Sequence, residues 1–272
     1  MKTIVVTGAS GSMGAVVCEA MAAAGWHVVM ACRNLSKGRS VLERIVSRVP
    51  GGSLELRELN LESLESVRSF ATGLSGLTVD ALFNNAGIIN REYGLTADGY
   101  ERTFQVNFLG PALLSLLLCD ANPGMHVVSM VSLTCSLVRI PCGYTGDSRS
   151  GFSQLGTYAR AKLALLLFTL ELEREGKATA DVSDPGVVDS NMISMGRWFD
   201  PLADRLFRPL CSSPEKGARP AINALLDTSA GTPSLHESRY WAGRKARSVP
   251  RRFTSADAVI TASNLLSENH LL

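Results

Sequence analysis

Apolar, β-branched runs alternate with stretches of helical periodicity along the chain. The runs at 2–6, 27–32, 53–59, 79–84, 125–131 and 178–183 predict strands. The intervening stretches at 13–24, 36–49, 63–74, 98–121, 155–175 and 214–227 predict helices. Strands that alternate with helices form parallel sheets, because each parallel pair needs a crossover. Right-handed crossovers then place helices on both faces, so the expected class is α/β with a doubly wound parallel sheet. No internal repeat or linker divides the 272 residues, and one domain over 1–272 is expected. Two long irregular stretches stand out, 133–154 and 188–212, and long loops in a compact fold tend to be functional.

Composition narrows the classes. The chain is 46% hydrophobic and 19% charged, which suits a well-filled core. A net charge of +2 gives no reason to expect nucleic acid as a partner. Six cysteines form no Cys-x-x-Cys pair and no zinc spacing, so no metal is expected. Cys18, Cys32 and Cys119 lie in apolar surroundings and read as reduced core thiols, which points to a reducing, cytoplasmic setting. The strand 2–6 follows Met1 at once, so no signal peptide is expected. No apolar run reaches the length of a membrane span, and Leu113–Cys119 reads as a buried helix. The histidines, His27, His126, His236 and His270, are scattered and carry no catalytic or metal pattern.

The chemistry starts at the first turn. Strand 2–6 leads into Thr7-Gly8-Ala9-Ser10-Gly11-Ser12-Met13-Gly14 and then a helix. Glycines allow close backbone approach, and the helix N-terminus offers free N–H groups to a pyrophosphate. The second strand ends in Ala31-Cys32-Arg33-Asn34, where an acid would hold a ribose 2′-hydroxyl and an arginine suits a 2′-phosphate. Arg33, followed by Lys37 and Arg39, favours NADP over NAD, with Ser10 able to add a hydroxyl contact. Helix-start surface cations are the plainer reading of the same residues.

Tyr158 and Lys162 sit four residues apart in a helical stretch, so they share one face, about 6 Å apart along the axis. A free phenol titrates near pH ~10. A neighbouring ammonium lowers that value and makes an acid–base pair for interconverting an alcohol and a carbonyl. Tyr144 has no lysine four residues on.

Further motifs follow in order: Asn84-Asn85-Ala86-Gly87, Asn107, Ser129-Met130-Val131-Ser132, Tyr158-x-x-x-Lys162 and Asp184-Pro185-Gly186. Together they resemble the short-chain dehydrogenase/reductase superfamily, from Thr3 to about Leu226, and most closely its retinol dehydrogenase-like group. The group likeness rests on Ala31-Cys32-Arg33-Asn34, the long gap between Ser132 and Tyr158, Leu163-Ala164 through Leu172, and Ser213–Ala218. The resemblance implies a Rossmann-type fold and an NADP(H)-dependent oxidoreductase. Tyr158 would be the general acid or base, and Lys162 would acidify it and hold the nicotinamide ribose. Ser132 would bond the substrate oxygen, and Asn107 would organise a water-linked proton path to Lys162. Implied cofactor contacts are Gly8, Ser10, Gly11, Ser12, Met13, Gly14, Arg33, Asn34, Lys37, Asn60, Leu61, Asn85, Ala86, Gly87, Tyr158, Lys162, Pro185, Gly186, Val188 and Ser190.

Three positions depart from the family pattern. Ser12 stands where the middle glycine of the turn belongs, giving glycines at 8, 11 and 14 as in the superfamily's extended branch. Asn60 replaces an aspartate expected to meet the adenine amino group. Ser129 replaces the usual asparagine before the serine pair.

The stretch 188–212 is the expected substrate lid. Its methionines and aromatics suit a bulky apolar carbonyl or alcohol, or else an amphipathic helix on the core. Residues 239–272 read as a basic C-terminal tail. The six cations from Arg239 to Arg252 form a solvated surface or a contact with an anionic membrane surface. Apolar helices at 108–119 and 157–173 would suit a homodimer. Two other functions stay open, a catalytically silent nicotinamide-binding regulator and an extended-branch epimerase or dehydratase.

Overall fold

The computed structural model describes residues 1–188, 212–227, 238–243 and 245–269. All six expected strands form: β1 (Thr3–Thr7), β2 (His27–Cys32), β3 (Ser53–Glu58), β4 (Ala81–Asn84), β5 (His126–Met130) and β6 (Thr179–Asp184). They pair in parallel in the order β3-β2-β1-β4-β5-β6. Helices cover both faces, which is why β1, β4, β5 and β6 are buried at every residue. The winding direction reverses between β1 and β4, and such a switch opens a crevice at the strands' carboxyl ends.

The helices are α1 (Ser12–Ala23), α2 (Leu35–Arg48), α3 (Leu64–Gly73), α4 (Arg102–Ala121), α5 (Gln154–Arg174) and α6 (Pro214–Leu226). Helix α4 starts later than the apolar pattern over 98–121 predicts. Gly99 takes φ +86°, outside helical space, and the Glu101 carboxylate then caps the N–H groups of Thr103 and Phe104. Its Gln105–Leu109 turn is π-helical. This helix has the length and apolarity of a membrane span, but 83% of its apolar window is buried inside the protein. One core layer joins α3, α4 and α5 through Phe70, Phe108 and Phe168. The other packs α1, α2 and α6 through Met21, Ile45 and Ala221.

The stretch read as a basic tail folds instead. Strands β7 (Arg239–Ala242) and β8 (Lys245–Ser248) extend the sheet beyond β6, with β8 antiparallel to β7. Helix α7 (Ala256–Glu268) then packs on α5. Density of positive charge hid this strand. Arg239 is no solvated cation: its guanidinium bonds Asp181 at 2.9 Å and Asp227 at 2.7 Å, and Trp241 fills the core.

Candidate active site

The cofactor turn works through backbone geometry. Gly8 takes φ +64°, a conformation that side chains resist. A Cβ at Gly14 would lie 2.4 Å from the Gly8 carbonyl oxygen and 2.9 Å from Asn85 Nδ2. Thr7 and Asn85 lock this turn to the end of β4. The Thr7 hydroxyl accepts from the N–H groups of Asn85 and Ala86, both at 3.0 Å, and Asn85 Nδ2 donates to the Thr7 carbonyl at 2.8 Å. No side chain caps α1, so its first N–H groups face the crevice unpaired by the protein's own caps. Ser12 is exposed, so its departure from glycine crowds nothing in the protein.

A cleft of about 520 Å³ opens over this turn. Gly8, Ser10, Gly11, Ser12, Met13, Gly14, Arg33, Asn34, Lys37, Asn60, Leu61, Asn85, Ala86 and Gly87 all line it, whereas Tyr158, Lys162, Pro185, Gly186 and Val188, also expected as cofactor contacts, do not. The lining also holds Glu62, Ile88 and Val106, which motif reasoning missed because none lies within a motif read from the sequence. These residues fit a dinucleotide: open N–H donors for a pyrophosphate, a glycine floor, and cations at the adenosine end. Asn34 also caps α2 by accepting from the Lys37 N–H at 2.9 Å. Asn60 accepts the Glu62 N–H at 3.1 Å, so its amide oxygen shapes the turn beside the cleft. A larger hollow of about 700 Å³ between α5, β8 and α7 holds none of the proposed catalytic side chains. They do not line the smaller cleft either, but Asn107 and Lys162 adjoin it at Gly87, which does.

The candidate catalytic side chains come together at the carboxyl edge of β5 and β6. Ser132 follows β5, and its hydroxyl accepts from both the N–H of Thr134 (3.3 Å) and the Thr134 hydroxyl (3.0 Å). Both acceptor sites are then used, which leaves its own proton to donate toward the Tyr158 phenol or a substrate oxygen placed beside it. Tyr158, in the first turns of α5, faces Ser132, whose hydroxyl lowers the phenol's pKa. Burial acts more strongly, joined by Cys135 and Asp184, and the net pKa is raised above the ordinary phenol value. Lys162 is buried, and its ammonium donates to the Met130 carbonyl at 2.8 Å. Burial lowers its pKa to about 8. The expected acidification of Tyr158 by Lys162 is therefore not expressed in this arrangement. The ammonium is engaged by the backbone, and desolvation dominates the phenol.

Asn107 sits in the π turn of α4. Its amide donates to the Ile88 and Thr103 carbonyls, both at 2.8 Å, and accepts the Ile88 N–H at 3.1 Å. It thus pins the strand exit that follows Asn85-Ala86-Gly87. A Cβ on Gly87 would stand 2.6 Å from Asn107 Oδ1 and 3.5 Å from Lys162 Nζ, so glycine lets the three approach. Ser129 replaces the family asparagine without leaving a gap, since Thr169 donates to it at 2.8 Å and Asn84 reaches it at 3.5 Å. Pro185 and Gly186 turn the chain out of β6, with the Gly186 N–H donating to Asp184 at 2.9 Å. Val188 is buried against Gly217 of α6 and near Met13. Ser190 and most of the expected lid, 189–211, lie outside the described residues.

Tyr144 belongs to the core, edge-on to Phe104 with ring centroids 5.1 Å apart. The loop that carries it is tied to α5 by a two-point ion pair, Asp147 to Arg160 at 3.1 and 2.7 Å. Among the described residues no cluster could hold a metal ion, and His126 pairs with buried Asp181 at 3.2 Å.

Comparison with known proteins agrees with this geometry. The family model for short chain dehydrogenase matches residues 2–197. Polyprenol dehydrogenase of Mus musculus is 34% identical over 232 residues, covering 80% of this chain and 69% of that protein. Human retinol dehydrogenase 12 is 31% identical over 233 residues, covering 83% and 73%. Among solved structures, a protein from Mycobacterium paratuberculosis matches with TM-score 0.76 and 30% identity, covering 100% of this chain and 92% of that one. The chain belongs to the short-chain dehydrogenase family, and within it to the retinol dehydrogenase-like group.

Proposed function

We propose that the protein is an NADP(H)-dependent oxidoreductase that interconverts a lipophilic ketone or aldehyde and its alcohol. The observation that carries this reading is the convergence of Ser132, Tyr158 and Lys162 beside a cleft built for a dinucleotide. A nicotinamide dinucleotide, when bound, supplies or accepts the hydride. The protein's own residues handle binding and the proton. The α1 N-terminus and the Gly8–Gly14 turn hold the pyrophosphate, and Arg33 with Lys37 is offered to a 2′-phosphate. Ser132 donates its free proton to the substrate oxygen and steadies the charge that develops there. Tyr158 gives its proton to that oxygen in reduction and takes it back in oxidation. Burial keeps the phenol protonated at neutral pH, which suits the acid needed for carbonyl reduction.

The apolar character of the substrate has support from relatives named for retinol and polyprenol, both long apolar alcohols. The choice of NADP has support from Arg33 and from a relative by structure, a gluconate 5-dehydrogenase-type protein from Beutenbergia cavernae solved with NADP at low occupancy (TM-score 0.69, 25% identity, covering 89% of this chain and 94% of that one).

The test is Tyr158→Phe. Removing the phenolic proton should cut turnover of a retinal- or polyprenal-type aldehyde by about 10²–10⁴-fold while NADPH still binds. Undiminished turnover in that variant removes the proposed role. A wild-type chain that binds NADPH tightly and consumes none across such aldehydes would instead make it a silent nicotinamide-binding regulator.

A further inference from the structure

The adenosine end of the cleft contains a charge that the cofactor reading does not use. The Arg33 guanidinium donates from Nη1 to Glu62 Oε1, and Arg102 Nε lies 3.6 Å from Glu62 Oε2. Arg33 and Glu62 are 29 residues apart in the chain, and both line the cleft. Their side chains differ in freedom. The Arg33 side chain is 62% exposed, whereas that of Glu62 is 25% exposed and its backbone is fixed by Asn60, which accepts its N–H at 3.1 Å. Asn60 is itself held in place where its own N–H donates to Ser66 Oγ at 3.1 Å. A carboxylate on a fixed turn therefore holds the one arginine that would read a 2′-phosphate.

We propose that Glu62 is a specificity-determining residue that opposes recognition of a 2′-phosphate by occupying Arg33 at the adenosine end of the cleft. The inference rests on the reading that this cleft takes a nicotinamide dinucleotide. Two effects act in the same direction. A phosphate must compete with the carboxylate for Arg33, and the two anions repel across the lip of the cleft. A ribose 2′-hydroxyl meets neither obstacle and can donate to the carboxylate. The chain is thus built to use NAD(H) as well as NADP(H), with Glu62 narrowing the gap that Arg33 and Lys37 would otherwise open. Arg102, drawn toward the second Glu62 oxygen, helps hold the carboxylate in place.

The experiment is a binding titration of the full chain with NADPH and, separately, NADH, read by nucleotide fluorescence without any substrate. Glu62→Gln removes the charge and keeps the shape. Its affinity for NADPH should rise about three- to tenfold, the scale of an exposed ion pair plus modest anion repulsion, with NADH binding unchanged or weaker. Glu62→Ala should move the preference in the same direction. In an Arg33→Ala background the gain should shrink to the small part due to repulsion alone. An unchanged NADPH-to-NADH ratio, an equal change for both nucleotides, or a full gain without Arg33 overturns the proposal. A wild-type chain that binds neither nucleotide removes the dinucleotide reading itself, and this inference with it.

Discussion

Lys162→Met should make the folded protein less pH-dependent while abolishing turnover. The ammonium of Lys162 is fully buried, and its pKa falls from the ordinary lysine value to about 8. Below pH 8 both folded and unfolded chains carry the proton, so the folded state bears the whole cost of burying the charge. A shift of this size corresponds to roughly 3 kcal/mol at pH 7. As pH rises through 8 the folded chain releases its proton while the unfolded chain keeps it up to the ordinary lysine range. The unfolded state then binds more protons, and stability from this group rises with pH. By pH 10 the remaining cost is roughly 1 kcal/mol. Methionine has nearly the same volume and no charge, so the variant lacks this dependence. It also leaves the Met130 carbonyl without its donor, a loss of about 1–3 kcal/mol that does not vary with pH. Urea unfolding of both proteins at pH 7 and pH 10 separates the two effects. The stability of Lys162→Met relative to wild type should fall by roughly 2 kcal/mol from pH 7 to pH 10. A difference that stays constant between the two pH values refutes a buried, strained ammonium at this position.

Two other substitutions test the site from different sides. Gly14→Ala places a methyl against the Gly8 carbonyl and Asn85, so it should cost about 1–3 kcal/mol of stability and sharply weaken NADPH binding, checked by thermal melts and titration. Thr134→Val removes the hydroxyl that donates to Ser132 at 3.0 Å, frees Ser132 to turn its proton inward, and should lower kcat about tenfold with KM and NADPH affinity little changed. Thr134→Ser should restore kcat, and an unaltered rate in the valine variant would show that Ser132 needs no such orientation.

Much of this protein is legible in its sequence because the information is local. Continuous apolar, β-branched runs and helical periodicity placed β1 through β6 and most helices, since both patterns are set within a few residues. Glycine spacing marked the turn at Gly8–Gly14 because only glycine tolerates the backbone approach there. The motif residues from Asn85 to Gly87 fell on the lining of one cleft for the same reason: each sits at a strand end, where a parallel sheet gathers its loops. The folded chain alone decided what depends on distant segments meeting. The pairing of Arg33 with Glu62, the capture of Lys162 by the Met130 carbonyl, and the anchoring of Arg239 on Asp181 all join residues from separate strands, helices or turns. Strands β7 and β8 were hidden by their own cations, and the Arg239 charge is met by Asp181 only once β7 docks on β6. The phenol's upward shift belongs to this second class as well. A neighbouring lysine is visible in the sequence, but desolvation depends on how much of the protein closes around the ring, and that is a property of tertiary packing.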